Sequence, residues 1–358
     1  MSRVSYSEGM KRAMQLAAAT GAFLLAASAT AKNLPPPDFV VASAGNQVVV
    51  VNPRNGATRS FEAGTVGKLF PAPGGVLFAP DLVHGKTTVL DLRRLRVADR
   101  LQGVTMPRFG PATDRYLVVA GNVLIVSYPD RATLARIPAD IAHPWQVAVT
   151  EDGGTALILE RLPGDHEPPV LWAIDLIERR VSLRVALPPD VHSMGFSSEH
   201  GVIALAGGST VRVVAPATLA TLLQLKVPGE AVAAAFAAHG EALLVATAAG
   251  GTGSIQRFGL KVGHKGLHAR RLEPVRLSAA PTGMAVSPEE GWAAVATAGG
   301  GVSIVRVDKG TIEQTAQLPG TARDVVWSDP ARPGPALPQW SVTTQGQPIK
   351  PTPRPSWK

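Results

Sequence analysis

The chain has 358 residues, of which 45% are apolar and only 17% charged, with a net charge of +8. It contains no cysteine, which excludes disulfides, thiolate catalysis, covalent haem attachment through CxxCH and zinc sites built on thiolates. Gly (36) and Pro (31) are abundant enough to indicate many tight turns rather than long helices.

The N-terminus reads as an export signal. Arg3, Lys11 and Arg12 form a cationic start, Ala13 to Ala27 is uncharged, and Ala29-Thr30-Ala31 supplies a small-x-small cleavage pattern. Residues 1–31 are therefore expected to be a signal peptide, which predicts a periplasmic or extracellular protein. The alternative is a retained anchor, because residues 13–31 approach the length that spans a bilayer. In that case the membrane is touched only through this segment. Basic residues elsewhere are scattered and aromatics make up 5% of the chain, which argues against a nucleic-acid surface.

From residue 39 onward, short strands recur with a period of roughly 40 to 50 residues, the spacing of β-propeller blades. The first unit, Phe39 to Ala63, supplies three strands and lacks an innermost one. Further units start near Val66, Pro107, Trp145, His192, Val232 and Pro281. The missing strand appears at the other end, as Thr321 to Ser328 (TARDVVWS). Together these predict an all-β, seven-bladed β-propeller over residues 32–329, closed by a C-terminal strand that completes the first blade and removes both sheet edges. Runs such as Val48–Val51 and Leu243–Val245 are apolar throughout, as strands covered on both faces should be. The last strands, such as TIEQTAQL, alternate with polar residues. Asn55-Gly56 and Asp152-Gly153 stand where hairpin turns are needed.

The seventh unit, PTGMAVSPEEGWAAVATAGGGVSIVRVDKGTIEQTAQLPG, resembles the YVTN-type repeat of secreted bacterial propellers. Gly283, Ser287, Pro288, Ala296 and Val305 match that pattern, while Glu290 and Thr297 replace its usual Asp and Asn. The units at Trp145 and His192 match less closely. The resemblance implies the fold and an exported setting, and the family is functionally mixed. It extends to a wider group of propellers that includes quinoprotein amine dehydrogenase large subunits and lactonases.

After Ser328 the chain holds eight prolines in thirty residues, so residues 330–358 are expected to form a solvated, extended tail. A docking role anchored by Trp340 and Trp357 is the sharper reading of the same segment.

No GxSxG, HExxH, P-loop or dinucleotide fingerprint occurs, and the Gly runs at 250–253 and 299–301 read as turns. Geometry ranks the candidates instead. In a propeller the inner strands start at one mouth of the central channel, and the loops joining second to third strands open on that same face. The inner-strand starts are expected to bring Arg323, Lys68, Arg108, His143, Trp145 and His192 to one rim. Loops add Asp81, His84, Asp165, His166 and Glu167. A cationic mouth of Arg323, Lys68 and Arg108 suits an anionic ligand or a partner's acidic loop. A weaker alternative is a metal site from His143, His166 and His192 with Asp165. The bland reading is that polar residues merely line a wet channel. On the opposite face, His264, Lys265, His268, Arg270 and Arg271 form a basic hairpin in the sixth unit.

The function this supports is a non-catalytic binding or scaffold protein, monomeric or part of a complex, that needs no cofactor and whose partner is an unidentified protein or anionic ligand. The competing class is a subunit of a periplasmic oxidoreductase, or a lactonase-like hydrolase.

Overall fold

The computed structural model describes residues 39–328, apart from 82, 104–105, 110–113, 129, 162–166 and 265. The signal segment, the Pro-rich tail, Asp165, His166 and Lys265 lie outside the described residues. All regular structure in this range is β, arranged as seven antiparallel sheets, so the chain is a seven-bladed β-propeller.

The ring is closed by its last strand. Ala322–Trp327 pairs with Val40–Ala44, which leads outward to Gln47–Val51 and Thr58–Glu62. Ser328 N–H donates to Phe39 O over 3.0 Å, so both ends of the described chain meet at one point of blade 1. Every rung of this latch joins residues nearly 300 positions apart, for example Trp327 to Val40.

A single blade cannot bury its own faces, and the core shows the consequence. It is not one body but seven layers, each made by two neighbouring blades. Second strands such as Val202–Gly207 and Trp292–Thr297 are buried along their whole length, because they are covered on both sides. Fourth strands such as Arg180–Ala186 alternate exposed and half-buried residues at the rim. Burying one Val or Leu side chain contributes about 1.5–3 kcal/mol, so each layer of roughly ten such groups holds its two blades in register.

Blade 3 departs from the pattern. Its second and third strands form one extended run, Arg115–Ser127, that doubles back at Gly121, whose φ is 70°. Tyr128 N–H donates to Asp114 O over 2.7 Å, and the rings of Tyr116 and Tyr128 lie 6.3 Å apart, which closes the hairpin. Blade 6 departs differently. Its outer strands, Thr252–Gly263 and Gly266–Leu277, are twelve residues each, about twice the usual length here, and form the predicted basic hairpin.

Alternation of strand direction fixes two faces. Inner strands start, and second-to-third turns open, on what we call the mouth face. First-to-second and third-to-fourth turns lie on the lower face.

Candidate functional site

The mouth is built by a recurring irregularity of the inner strands. At the mouth end of the ladders Ala322 pairs with Ala44, Pro144 with Glu160, Val191 with Gly207, Ala231 with Thr247 and Pro281 with Thr297, and blade 6 adds one rung above, Glu230 with Ala248. In each of these five blades the next residue opposes nothing, and the ladder resumes one residue later. The bulged residues are Arg323, Trp145, His192, Val232 and Thr282. A β-bulge leaves one residue unpaired and re-aims its side chain, so five blades turn one side chain each out of their ladders at the same level of the mouth.

Blades 2 and 3 correct the expected register. In blade 2 the first rung is Val66 with Asp81, which puts Gly67 at the bulge level and Lys68 one residue deeper. In blade 3 Arg108 pairs with Leu117 and Phe109 with Tyr116, the same level as Gly195 with Ala204 and Phe196 with Ile203 in blade 5. Arg108 therefore sits about three rungs inside the channel, not at its rim. The inner strands described in these two blades are Phe70–Ala72 and Arg108–Phe109, where Pro71, Pro73 and Pro107 supply no N–H to a ladder.

Charge is organised around Asp324, which follows Arg323 and is buried. Its Oδ2 accepts from Leu69 N–H over 2.9 Å, and its Oδ1 lies 3.4 Å from Lys68 Nζ. Lys68 Nζ is also 4.9 Å from the centre of the Trp145 ring, which brings blades 2 and 4 together across blade 3. Arg108 stacks on Phe70, 4.0 Å from the ring centre. Burial pulls the Arg108 guanidinium down to about 10, and Asp324 pulls it back up; it stays cationic at neutral pH. Arg323 is exposed. Inside the channel Lys68 and Arg108 thus share one carboxylate, Asp324, already engaged by a backbone N–H, while Arg323 stands at the rim with Asp81, Glu160, Asp190 and Glu230 on the same face.

The same rung carries a second device. Inner strands have an open edge facing the channel, and side chains of one blade satisfy N–H groups of the next. Asp324 accepts from Leu69, Gln146 accepts from Met194, and Ser193 accepts from Ala234. Trp145 Nε1 donates to His192 O over 3.0 Å, and Trp327 Nε1 donates to Ala285 O over 3.0 Å. Asp324, Gln146 and Ser193 went unnoticed in the sequence. They share one rung, and a register-correct alignment of the units would have lined up their polar side chains.

The histidines do not assemble into one site. His192 Nδ1 lies 2.9 Å from Asp190 O and its Nε2 is 3.8 Å from Glu230. His143 is exposed, and its backbone N–H donates to Glu160 over 3.2 Å. Among the described residues no group of three or more His, Asp or Glu could hold a metal; the other two members of that proposed set, Asp165 and His166, lie outside them. In the blade 2 loop, Asp81 Oδ2 is 2.6 Å from His84 Nδ1. Desolvation pushes the Asp81 carboxyl up, but hydrogen bonds from His84 and Val83 outweigh it and hold the group below its usual range. Glu167 is exposed on the neighbouring long loop.

The other end of the channel has opposite chemistry. A cavity of about 330 Å³ there is lined by Pro71, Pro73, Phe109, Val286, Val326 and Trp327.

Comparison with known proteins places the architecture and leaves activity open. The structure superimposes on Kuenenia stuttgartiensis hydrazine synthase with a TM-score of 0.60 at 14% identity, covering 76% of this chain and 92% of that one. A 6-phosphogluconolactonase candidate from Bacteroides fragilis matches with a TM-score of 0.60 at 12% identity, covering 81% and 98%. Identities this low show a shared fold alone. No family model and no curated protein matches the sequence.

Proposed function

We propose that this protein is an exported propeller of the YVTN-type group that acts as a non-catalytic binding or scaffold protein, taking an anionic ligand or a partner's acidic loop at the mouth of its channel. The observation that carries this reading is the cation pair just inside the mouth. Lys68 and Arg108 share one carboxylate, Asp324, whose second oxygen is occupied by Leu69 N–H, and Arg323 stands exposed at the rim. A concave, low-dielectric wall concentrates such a field and draws anions toward it.

The titrations lean the same way. Asp81 is shifted toward its charged form, and Arg108, although burial lowers it to about 10, stays cationic at neutral pH, which suits electrostatic capture rather than proton transfer. The alternative reading, an oxidoreductase subunit or a lactonase-like hydrolase, is supported by the fold shared with the two structures above. Export through residues 1–31 and action as a monomer or complex member complete the proposal.

The test is a titration with a hexaglutamate peptide at low salt, read by tryptophan fluorescence. Binding is expected to weaken at least tenfold when Arg323→Glu and Lys68→Glu are combined, and to fade as salt rises. Equal binding by the double variant, at an unchanged melting temperature, would remove the cationic mouth as the site.

A further inference from the structure

The lower face carries features that the mouth does not explain. Six large apolar side chains are exposed among the described residues: Val83, Leu134, Ile177, Leu222, Val262 and Ile312. Only Val83 lies on the mouth face, in the loop after Asp81. The other five sit in, or within two residues of, the third-to-fourth turns of blades 3, 4, 5, 6 and 7. They form an arc along one edge of the lower face. Ile177 is 76% exposed and Val262 67%. Leaving such groups in water has no folding benefit, since none is needed to fill a layer of the core.

Cations accompany the arc. Arg179 and Arg180 follow Ile177 beyond Glu178, Lys261 precedes Val262, and Lys309 stands three residues before Ile312; all four cations are exposed. In the long hairpin, pairing sets Lys261 opposite His268 and Gly259 opposite Arg270 on one side of the ribbon. The other side, with Leu267 and Ala269, packs on the core between blades 5 and 6. Arg271 belongs to that packed side. It donates to Lys226 O and stacks on Phe258, so it leaves the basic patch that the sequence suggested. Nearby acids are partly occupied: Asp175 accepts from Ile177 N–H and Glu178 N–H. Glu151, Asp152, Glu199 and Glu241 lie in the first-to-second turns, closer to the axis; on the outer rim Asp130 accepts from Ser127, Asp308 pairs with Arg306 over 3.1 Å, and Glu178 and Glu313 are exposed among the cations.

Between blades 3 and 4 the arc opens into a cleft of about 440 Å³. Leu134, Val149, Leu176 and Ile177 line it, with the guanidinium groups of Arg108, of Arg115, which is paired with Asp114, and of Arg179. We propose that this outer arc of the lower face is an interfacial surface that rests on anionic phospholipid, with the arginines and lysines on headgroups and the exposed aliphatic groups among the upper acyl carbons. The apolar groups are spaced singly along several blades rather than gathered into one patch. A protein partner requires a contiguous, desolvated centre; a bilayer does not, and it rewards cations interleaved with apolar groups. Chain geometry agrees. Phe39 enters blade 1 at this face, eight residues after Ala31. At about 3.3 Å per residue, an uncleaved apolar run at 13–31 would hold the face within about 25 Å of a bilayer.

Every blade lies within residues 39–328, so a chain beginning at Lys32 retains the ring and reads the surface without that run. The experiment is flotation of this chain with phosphatidylcholine vesicles, with and without phosphatidylglycerol. Flotation is expected only with the anionic lipid, and should be lost at high salt. Arg179→Ala and Lys261→Ala are each expected to weaken it about fivefold. Ile177→Asp with Leu134→Asp should abolish it, with an unchanged melting temperature because both sites are exposed. The mouth pair Arg323→Glu and Lys68→Glu should leave it intact, which separates this surface from the proposed ligand site. Equal flotation on neutral vesicles, no flotation at low salt, or full flotation by the Ile177 and Leu134 double variant would each overturn the proposal.

Discussion

Blades 7 and 3 show how far one repeat can be bent while the ring stays closed. Blade 7 has four strands of six or seven residues, a bulge at Thr282 and a glycine in its lower turn. Blade 3 has a two-residue inner strand, a doubled-back middle run and a cation where blade 7 has Ala285. Both nonetheless bury their second strands against neighbours on each side. The difference teaches that the inter-blade layers define this fold, while the length and register of an inner strand can vary as long as its layer-facing residues stay buried. The channel-facing positions of the inner strands are therefore where sequence change is cheapest and where function can be placed.

The largest expected effect tests that division at one rung. Trp327 in the closing strand and Phe109 in blade 3 occupy the same level of the inner strand. Trp327 is buried in the layer between blades 7 and 1 and donates to Ala285 O. Phe109 is only half-buried and packs on Tyr116 and Tyr128. Trp327→Ala should cost about 3–5 kcal/mol, and Phe109→Ala about half as much. Urea denaturation checks both; equal losses would mean that the latch is no tighter than the irregular blade.

Asp324→Ala comes next. It removes the acceptor of a buried N–H that joins blade 1 to blade 2, which costs about 1–3 kcal/mol. Asp324→Asn keeps an oxygen for Leu69 N–H and should recover most of that loss. If Asn is as damaging as Ala, the charge opposite Lys68 and Arg108, rather than the hydrogen bond, is what the site requires.

The sequence carried the layers and hid the mouth. Apolar runs at Val48–Val51 and Leu243–Val245, and the complementarity of Phe39–Ala63 with Thr321–Ser328, are direct consequences of two-sided burial and ring closure, so seven blades and their latch could be read from residue patterns. Arg323, Trp145 and His192 were placed at the mouth because their units keep the common spacing. Lys68 and Arg108 lie one and about three rungs deeper than the repeat spacing suggests, because the spacing of units does not show at which residue each ladder begins. Asp324 was invisible for another reason. A carboxylate in a polar-looking TARD segment reads as surface, and only its approach to a strand 255 residues away gives it a role.

Arg108 sharpens the comparison from the side of blade 3. Its cation is desolvated, and desolvation of an incompletely paired charge destabilises the fold. Arg108→Met keeps the stem that covers Phe70 and removes the charge, so its melting temperature should equal or exceed that of the parent. Affinity for an acidic peptide should fall. A lowered melting temperature would show that the Asp324 field more than repays the burial of this group, and would move Arg108 from the functional to the structural account.

The smallest effect concerns the lower turns. Six blades place one residue in the left-handed region at the same point of the third-to-fourth turn: Gly56, Leu95, Arg131, Arg179, Leu219 and Gly310, with φ between 49° and 70°. Blade 7 uses glycine partly for closeness, since a Cβ on Gly310 would lie 1.8 Å from Arg257 Nη1. Arg179 in blade 4 is exposed and has no such neighbour in its turn, yet it adopts the same strained backbone. A non-glycine residue there costs about 1–2 kcal/mol, and glycine returns part of that as chain entropy in the unfolded state. Arg179→Gly should therefore stabilise the protein by about 0.5–1 kcal/mol in thermal melts. The same change removes a guanidinium from the arc, so it should also lower flotation on anionic vesicles. Stability rising while lipid binding falls would mean that this arginine is kept at the expense of the fold, as a surface group selected for contact would be.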